Sequence, residues 1–199
     1  METVNTDILV IGGGVNGTSI AMALAKRNAG KITLIEKGGL ATGATGRSGA
    51  MVREHYLNVE LVRMASDAKK FFQKWPQEMG YDLKFQTTGR ILLFDESDAG
   101  AAIANGEMNR TEGVNIETLS PEKTMELIPL ANLDDVKISL YEPEAGYADP
   151  VATTYAFATE AQKKGVELLT RTPVENLIVE GGRIAGVETA TGKINADVV

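Results

Sequence analysis

Three glycines near the start of the chain have the spacing of a nucleotide-binding turn. Gly12, Gly14 and Gly17 follow the apolar run Asp7–Ile11 and precede a helical pattern over 18–28. In such a turn the first glycine permits a sharp bend, the second lets backbone approach a pyrophosphate, and the third lets helix pack on strand. Unpaired N–H groups at the start of the helix would face the phosphates. The remaining loop residues are Gly13, Val15 and Asn16. The pattern predicts a dinucleotide site.

An acidic residue lies where such a site needs one. Glu36 ends the second apolar run, 32–35. A carboxylate at the end of this strand accepts hydrogen bonds from both hydroxyls of an adenosine ribose, and it repels the 2′-phosphate of NADP. The alternative is a glycine-rich turn in an ordinary α/β domain, with Glu36 merely solvated.

The loop that follows Glu36 is made almost entirely of small residues. It runs over 37–50 and has too few large apolar side chains to pack by itself. Its backbone can therefore approach a flat or phosphorylated ligand, and Arg47 adds positive charge. A flexible linker has a similar composition and is the alternative interpretation.

Composition excludes several classes of function. The 199 residues carry a net charge of −7, contain no cysteine and include one histidine. Without clustered cations a nucleic-acid surface is not expected, and disulfides, thiolate sites and multi-histidine metal sites are ruled out within these 199 residues. We expect a small-molecule ligand and no membrane span. The first apolar run has no basic leader, so the expected location is the cytoplasm.

Periodicity predicts the elements that position these residues. A long amphipathic helix is expected over 57–79, with its aromatic stripe in the core. Two short strands with a turn are expected within 85–94, a surface helix over 97–111 and a strand over 138–141. A further helix has Ser120 as its N-cap and ends before Pro129.

An α/β pattern returns near the end of the chain. A helix over 151–164 begins after Asp149 and leads to a buried parallel strand, 166–169. The remaining segments predict a β-meander: 174–180, 183–188 and 193–196. The expected domains are 1–81 and 144–199, two portions of one nucleotide-binding domain, and 82–143, part of an inserted substrate domain. Because 197–199 begins an apolar strand, we expect a truncated chain.

These residues together resemble the N-terminal half of the D-amino-acid-oxidase-like FAD-dependent oxidoreductases, especially the sarcosine oxidase and L-proline dehydrogenase β-subunits and glycine oxidase. The resemblance spans nearly the whole chain. Its most specific segments are 12–17, 36–37, 43–49, Arg53, 88–90, 146–150 and 196–199. It implies an α/β fold of the glutathione-reductase-like FAD type, in which a Rossmann-type FAD-binding domain carries an inserted α+β substrate domain.

The resemblance also implies which residues bind FAD. The pyrophosphate maps to the glycine turn and the ribose to Glu36, and Lys37 is a further cofactor-binding residue. The flavin maps to Thr42, Gly43, Ala44, Thr45, Arg47, Ser48, Gly49 and Ala50, and the adenine to the backbone of Val174 after Pro173. Some relatives have a flavin-linking histidine where this chain has Arg47, so we expect FAD to be bound non-covalently. Linkage through His55 is the alternative.

The implied chemistry is oxidation of the C–N bond of a small amine or amino acid. Arg53 is the candidate clamp for the substrate carboxylate, because a guanidinium matches a carboxylate with two parallel hydrogen bonds. Tyr56, Arg90 and Tyr147 are further candidates for substrate contact. We assign no catalytic residue and no general base.

Two other functions remain open from the sequence. One is an NAD-dependent dehydrogenase that uses the same glycine turn. The other is a non-catalytic nucleotide-binding fragment or subunit that needs a partner. The resemblance is compatible with a hetero-oligomer that has an electron-accepting subunit, or with a homo-oligomer.

Overall fold

A computed structural model describes residues 2–199. The five helices and the strands of this range are numbered in chain order. The helices are α1 Val15–Lys26, α2 Val59–Met79, α3 Ala99–Thr111, α4 Pro121–Leu127 and α5 Pro150–Lys163, and a 3-10 helix spans Thr45–Arg47. The strands are β1 Glu2–Ile11, β2 Ile32–Ile35, β3 Met51–Val52, β4 Gln86–Thr87, β5 Arg90–Phe94, β6 Glu117–Leu119, β7 Ile138–Glu142, β8 Gly146–Tyr147, β9 Glu167–Leu169, β10 Val174–Glu180, β11 Arg183–Thr189 and β12 Gly192–Val198.

The chain divides into two compact units. Unit 1 consists of the chain up to Gly49 together with Asp149–Val199, and unit 2 is Ala50–Ala148. Unit 2 is thus inserted in the sequence of unit 1. These bounds follow from contacts within each unit. The division by function into 1–81, 82–143 and 144–199 stays a prediction.

Unit 1 contains one six-stranded sheet in the order β10-β11-β12-β1-β2-β9. Strand β1 pairs in parallel with both β2 and β12, while β10, β11 and β12 form an antiparallel meander. All four residues of β2 are buried, as expected for a strand that has a parallel neighbour on each side. The predicted α/β class and the meander are confirmed.

Helices α1 and α5 pack against each other in unit 1. Asp149 caps α5 by accepting hydrogen bonds from the backbone of Val151 and Ala152, both at 2.9 Å. Strand β9 is parallel to β2, as predicted, but it lies at the sheet edge and Glu167 is exposed. The expectation of a buried strand there is wrong, because a polar residue at an edge keeps access to water.

Unit 2 contains α2, α3, α4 and two three-stranded sheets, β3-β8-β4 and β5-β7-β6. Asn58 caps α2, Gly80 ends it with φ 73°, and Trp75 is 2% exposed, which confirms the long helix and its apolar face. The two strands expected within 85–94 are present. They belong to different sheets, because Gly89 turns the chain between them with φ 71°.

No helix within residues 2–199 is both long and apolar enough to cross a membrane.

Candidate cofactor and substrate sites

The turn between β1 and α1 can be formed only with glycine at two positions. Gly12 has φ 114°, a conformation that other residues rarely adopt. A Cβ atom on Gly17 would lie 1.9 Å from the carbonyl oxygen of Gly12, so any side chain there would push α1 away from the strand. The close approach of helix and turn that the glycine spacing predicts is therefore present.

Glu36 connects the end of β2 to this turn. One carboxylate oxygen accepts a hydrogen bond from the N–H of Gly13 at 2.7 Å, and the other accepts from the N–H of Gly38 at 2.8 Å. Each carboxylate oxygen can accept a further hydrogen bond. The half-buried side chain is thus held in place and retains acceptor capacity for a pair of ribose hydroxyls.

The small-residue loop is hydrogen bonded to the start of α1. The hydroxyl oxygen of Thr45 accepts a hydrogen bond from the N–H of Val15 at 3.1 Å. A Cβ atom on Gly46 would lie 2.2 Å from the carbonyl oxygen of Ala41, so this glycine also permits a close backbone contact. A flexible linker would not provide these contacts, and the loop is an ordered part of the site.

A cleft of about 370 Å³ in unit 1 is lined by the glycine turn, Glu36 and the small-residue loop. Its lining residues are Ile11, Gly12, Gly14, Asn16, Gly17, Glu36, Lys37, Ala41, Thr42, Gly43, Ala44, Thr45 and Arg47. Ile11 and Ala41 were not predicted from the sequence. The other predicted cofactor residues lie outside this lining: Gly13, Val15, Ser48, Gly49, Ala50 and Val174.

The cleft suits an anionic, flat ligand. Gly14 is the N-cap of α1 and supplies no side-chain cap, and the first turn of α1 contains no acidic residue. The positive end of the helix dipole is therefore not neutralised locally by a carboxylate of that turn, and it favours a phosphate group. These residues fit a dinucleotide whose pyrophosphate lies at α1 and whose ribose reaches Glu36.

Three of the predicted substrate residues lie together in unit 2. The guanidinium carbon of Arg53 lies 4.0 Å from the ring centroid of Tyr56, a cation–π contact. Arg53 also donates from Nη1 to the carbonyl oxygen of His55. Burial, followed by the nearby charge of Arg53, lowers the pKa of Arg90. The sequence placed these residues far apart, and the fold brings them into one cluster.

Two buried titratable groups border this cluster. Burial raises the pKa of Glu142, which is 2% exposed, while the N–H groups of Glu54 and His55 and the charge of Arg90 oppose that rise. Burial is the main reason why the pKa of His55 is lowered; a hydrogen bond with Asn105 opposes it, and the charges of Arg90 and Arg53 act in the same direction as burial. We therefore expect a neutral imidazole at physiological pH.

Two buried polar atoms of the cluster have no partner among residues 2–199. They are Nε2 of His55 and Nη1 of Arg90. Buried polar atoms in folded proteins are nearly always hydrogen bonded, so both mark positions where a ligand or water is expected. Tyr147 has a separate environment, since its hydroxyl donates to Oε1 of Gln86 at 2.7 Å.

Sequence reasoning missed the residues that support the 53–56 segment. Asn109 and Glu142 accept hydrogen bonds from its backbone, and Lys69 forms ion pairs with Glu54 and Glu144. Lys69 is 5% exposed. Nothing in the local sequence around these residues marks them, because each acts across a large distance along the chain.

A family model and individual relatives both match this chain. The model described as FAD dependent oxidoreductase (DAO) matches residues 7–199. Sarcosine oxidase subunit beta of Arthrobacter sp is 32% identical over 200 residues, which cover 97% of this chain and 49% of that protein. The chain therefore spans about half the length of this relative.

Two further matches are of different kinds. The mitochondrial pyruvate dehydrogenase phosphatase regulatory subunit of Mus musculus is 33% identical over 190 residues, which cover 94% of this chain and 21% of that protein. The crystal structure of L-proline dehydrogenase from P. horikoshii superposes with a TM-score of 0.88 and 33% identity, covering 99% of this chain and 52% of that one.

Proposed function

Because the chain belongs to the DAO family of FAD-dependent oxidoreductases, we propose that it is part of an enzyme that oxidises the C–N bond of a small amine or amino acid to an imine. Sarcosine, proline and glycine are the candidate substrates. The observation that carries the proposal is the cleft of unit 1, where the glycine turn, Glu36 and the small-residue loop meet.

FAD is the cofactor of this family, so the resemblance found in the sequence is confirmed and the nicotinamide alternative is set aside. We infer that the N-terminus of α1 binds the pyrophosphate, Glu36 the ribose, and the loop 42–50 the flavin. The adenine contact at Val174 is part of the same proposal. Arg47 is exposed and has no nucleophilic atom for a histidyl-type bond, which supports non-covalent binding.

When bound, FAD supplies the acceptor for the hydride that leaves the carbon beside the amine nitrogen, and water then hydrolyses the imine. The protein residues must orient the amine and neutralise its carboxylate. Arg53 and Arg90 bring two positive charges. The carboxylate of Glu142 interacts electrostatically with Arg90 and raises its pKa, against the effect of burial. The two guanidinium groups favour a substrate that carries a carboxylate over an uncharged amine.

Tyr56 and Tyr147 complete the proposed substrate contacts. Tyr56 packs its ring under Arg53 and so limits the directions in which the guanidinium can point. Tyr147 is 43% exposed and its hydroxyl already donates to Gln86, so it would offer a ligand its acceptor lone pairs.

A non-catalytic role is the second candidate, and a specific observation favours it. One relative of similar identity is named a regulatory subunit, and another is named a β-subunit. Either role is compatible with a partner chain, electron-accepting in the catalytic case, or with a homo-oligomer. The expected cytoplasmic location stays a prediction.

An absorption spectrum of the purified full-length protein tests the function. Bands at about 375 and 450 nm that bleach on anaerobic addition of sarcosine or L-proline would establish the amine oxidoreductase and its substrate class. Flavin released into the supernatant by acid would establish non-covalent binding. Bands that no amine bleaches would favour the non-catalytic subunit, and a colourless protein that ignores added FAD would contradict the proposed cofactor site.

A further inference from the structure

The segment that carries Arg53 and Tyr56 has no regular secondary structure of its own. Residues 53–56 lie between β3 and α2, outside any strand or helix. Glu54 and His55 are nevertheless buried, each 6% exposed. Buried backbone groups outside a sheet or helix need side-chain partners, and those partners decide which conformation the segment adopts.

Glu142 supplies partners for the first part of this segment. Its carboxylate accepts a hydrogen bond from the N–H of Glu54 at 2.6 Å and a longer one from the N–H of His55 at 3.4 Å. Glu142 ends β7 and is paired in register with Arg90 of β5. The two strands of this sheet thus support both the segment and the second arginine of the cluster.

Asn109 supplies partners for Tyr56. Its Oδ1 accepts from the N–H of Tyr56 at 3.2 Å, and its Nδ2 donates to the carbonyl oxygen of Tyr56 at 2.9 Å. One carboxamide therefore pairs with both backbone groups of one residue, as a neighbouring strand would. Asn109 is fully buried on α3, and Asn105 donates a further hydrogen bond to the same carbonyl oxygen at 3.1 Å.

Only a carboxamide has both groups that this arrangement uses. An aspartate would place an acceptor against the carbonyl oxygen of Tyr56, and an alanine would leave both backbone groups without their partner. Asn109 therefore does more than fill space between α3 and the segment.

We propose that Asn109 and Glu142 are positioning residues that fix the backbone of 54–56 and thereby aim Arg53 and Tyr56 at the carboxylate of the substrate. The substrate part of this inference rests on the proposed function, whereas the backbone part does not. Tyr56 connects the backbone part to the substrate part. Its backbone is hydrogen bonded to Asn109, and its ring lies under the guanidinium of Arg53.

Hydrogen–deuterium exchange of the holoenzyme tests the backbone part. We expect Asn109→Ala to speed exchange in a peptide that covers 54–58 by about tenfold and to leave a peptide covering 174–189 unchanged. Asn132→Ala is the matched control, because this exposed asparagine also accepts a backbone hydrogen bond, from Asp134 at 3.0 Å, outside the segment. Unchanged exchange at 54–58 in Asn109→Ala would overturn the proposal.

A second variant covers the case in which Asn109→Ala fails to fold. Asn105→Ala removes one hydrogen bond to the carbonyl oxygen of Tyr56 and one acceptor of the Asn109 carboxamide, and it keeps the Asn109 side chain itself. Faster exchange confined to 54–58 would support the proposal, and exchange equal to that of the unsubstituted protein would contradict it.

Steady-state kinetics test the substrate part. We expect Asn109→Ala to raise KM for a carboxylate-bearing amine about tenfold, with a much smaller change in kcat and in KM for an uncharged amine. Asn109→Gln, which keeps the carboxamide, should recover part of the loss. Equal changes in KM for both amines would contradict the proposal that Asn109 positions Arg53 for the substrate carboxylate. If no amine is oxidised by the unsubstituted protein, the proposed function fails, while the exchange measurement still decides the backbone part.

Discussion

The carboxylate of Glu36 and the backbone N–H of Gly13 are joined by a 2.7 Å hydrogen bond, which connects the end of β2 to the glycine turn after β1. The predicted ribose ligand is thus also a structural partner of the turn. A substitution there should change both the turn and the affinity for FAD, and the two effects can be measured separately.

Glu36→Ala should weaken FAD binding by about tenfold or more, because the ribose hydroxyls lose an acceptor and the N–H groups of Gly13 and Gly38 lose theirs. Fluorescence titration of the apoprotein with FAD measures the dissociation constant. Glu180→Ala, at an exposed position of β10, is the control and should bind FAD normally. Equal affinity for FAD in both variants would show that Glu36 does not contribute to FAD binding.

Gly17→Ala should destabilise unit 1 even without cofactor. Its Cβ would lie 1.9 Å from a backbone oxygen, which cannot move as a flexible side chain can. We expect the free energy of unfolding of the apoprotein to fall by about 1–3 kcal/mol, as for other overpacked sites. Denaturant unfolding measures it. A loss within about 0.5 kcal/mol, typical of surface substitutions, would show that α1 can shift freely.

Gly43→Val separates cofactor contact from folding. A Cβ on Gly43 would meet no atom within 4 Å, and the residue is exposed in the cleft of unit 1. The apoprotein should therefore keep its stability, while added bulk beside the proposed flavin position should weaken FAD binding. Gly100→Ala, also with open space around it, is the control. Normal FAD affinity in Gly43→Val would place the flavin elsewhere.

The sequence predicts those parts of the site whose interacting residues lie close together along the chain. The spacing of Gly12, Gly14 and Gly17 is local, and strand, turn and helix follow from it directly. The contact of Asn109 with Tyr56 joins residues 53 positions apart. It depends on how α3 packs against an irregular segment, and no periodic pattern encodes that packing.

The same distinction explains the errors in the predicted elements. Hydrophobicity predicts that 166–169 forms a strand, but its place at the sheet edge depends on the order in which strands pair. Likewise the two strands within 85–94 are readable from the sequence. Their separation into two sheets follows from the turn at Gly89, before which Thr87 pairs with Gly146 and after which Arg90 pairs with Glu142.

Arg53→Lys and Arg53→Ala should raise KM for an amino acid much more than KM for an uncharged amine. Lysine keeps the charge but loses the planar pair of donors that matches a carboxylate. Arg63→Ala is the control, since this arginine is exposed and paired with Glu112. Steady-state kinetics on both amines make the comparison. Equal effects on the two substrates would exclude Arg53 as the carboxylate clamp.

The pKa of His55 should lie below its ordinary value of 6.5 because of burial and, to a smaller extent, the charges of Arg90 and Arg53. His55 is the one histidine of these 199 residues, and its imidazole signal, assigned by its loss in His55→Gln, reports this pKa in an NMR titration. Arg90→Met should raise this pKa by removing one repulsive charge, whereas Arg27→Met, at an exposed position of unit 1, should not.

The lowered pKa of His55 makes the folded protein less stable at acidic pH. Below pH 6.5 the unfolded chain binds a proton at His55 that the folded protein does not, so the free energy of unfolding falls as pH drops through this range. The contribution is fully present above pH 6.5. We expect His55→Gln to show a shallower fall as the pH drops below 6.5, measured by denaturant unfolding at each pH. An identical pH dependence in both proteins would mean that His55 is protonated as easily in the fold as in the unfolded chain.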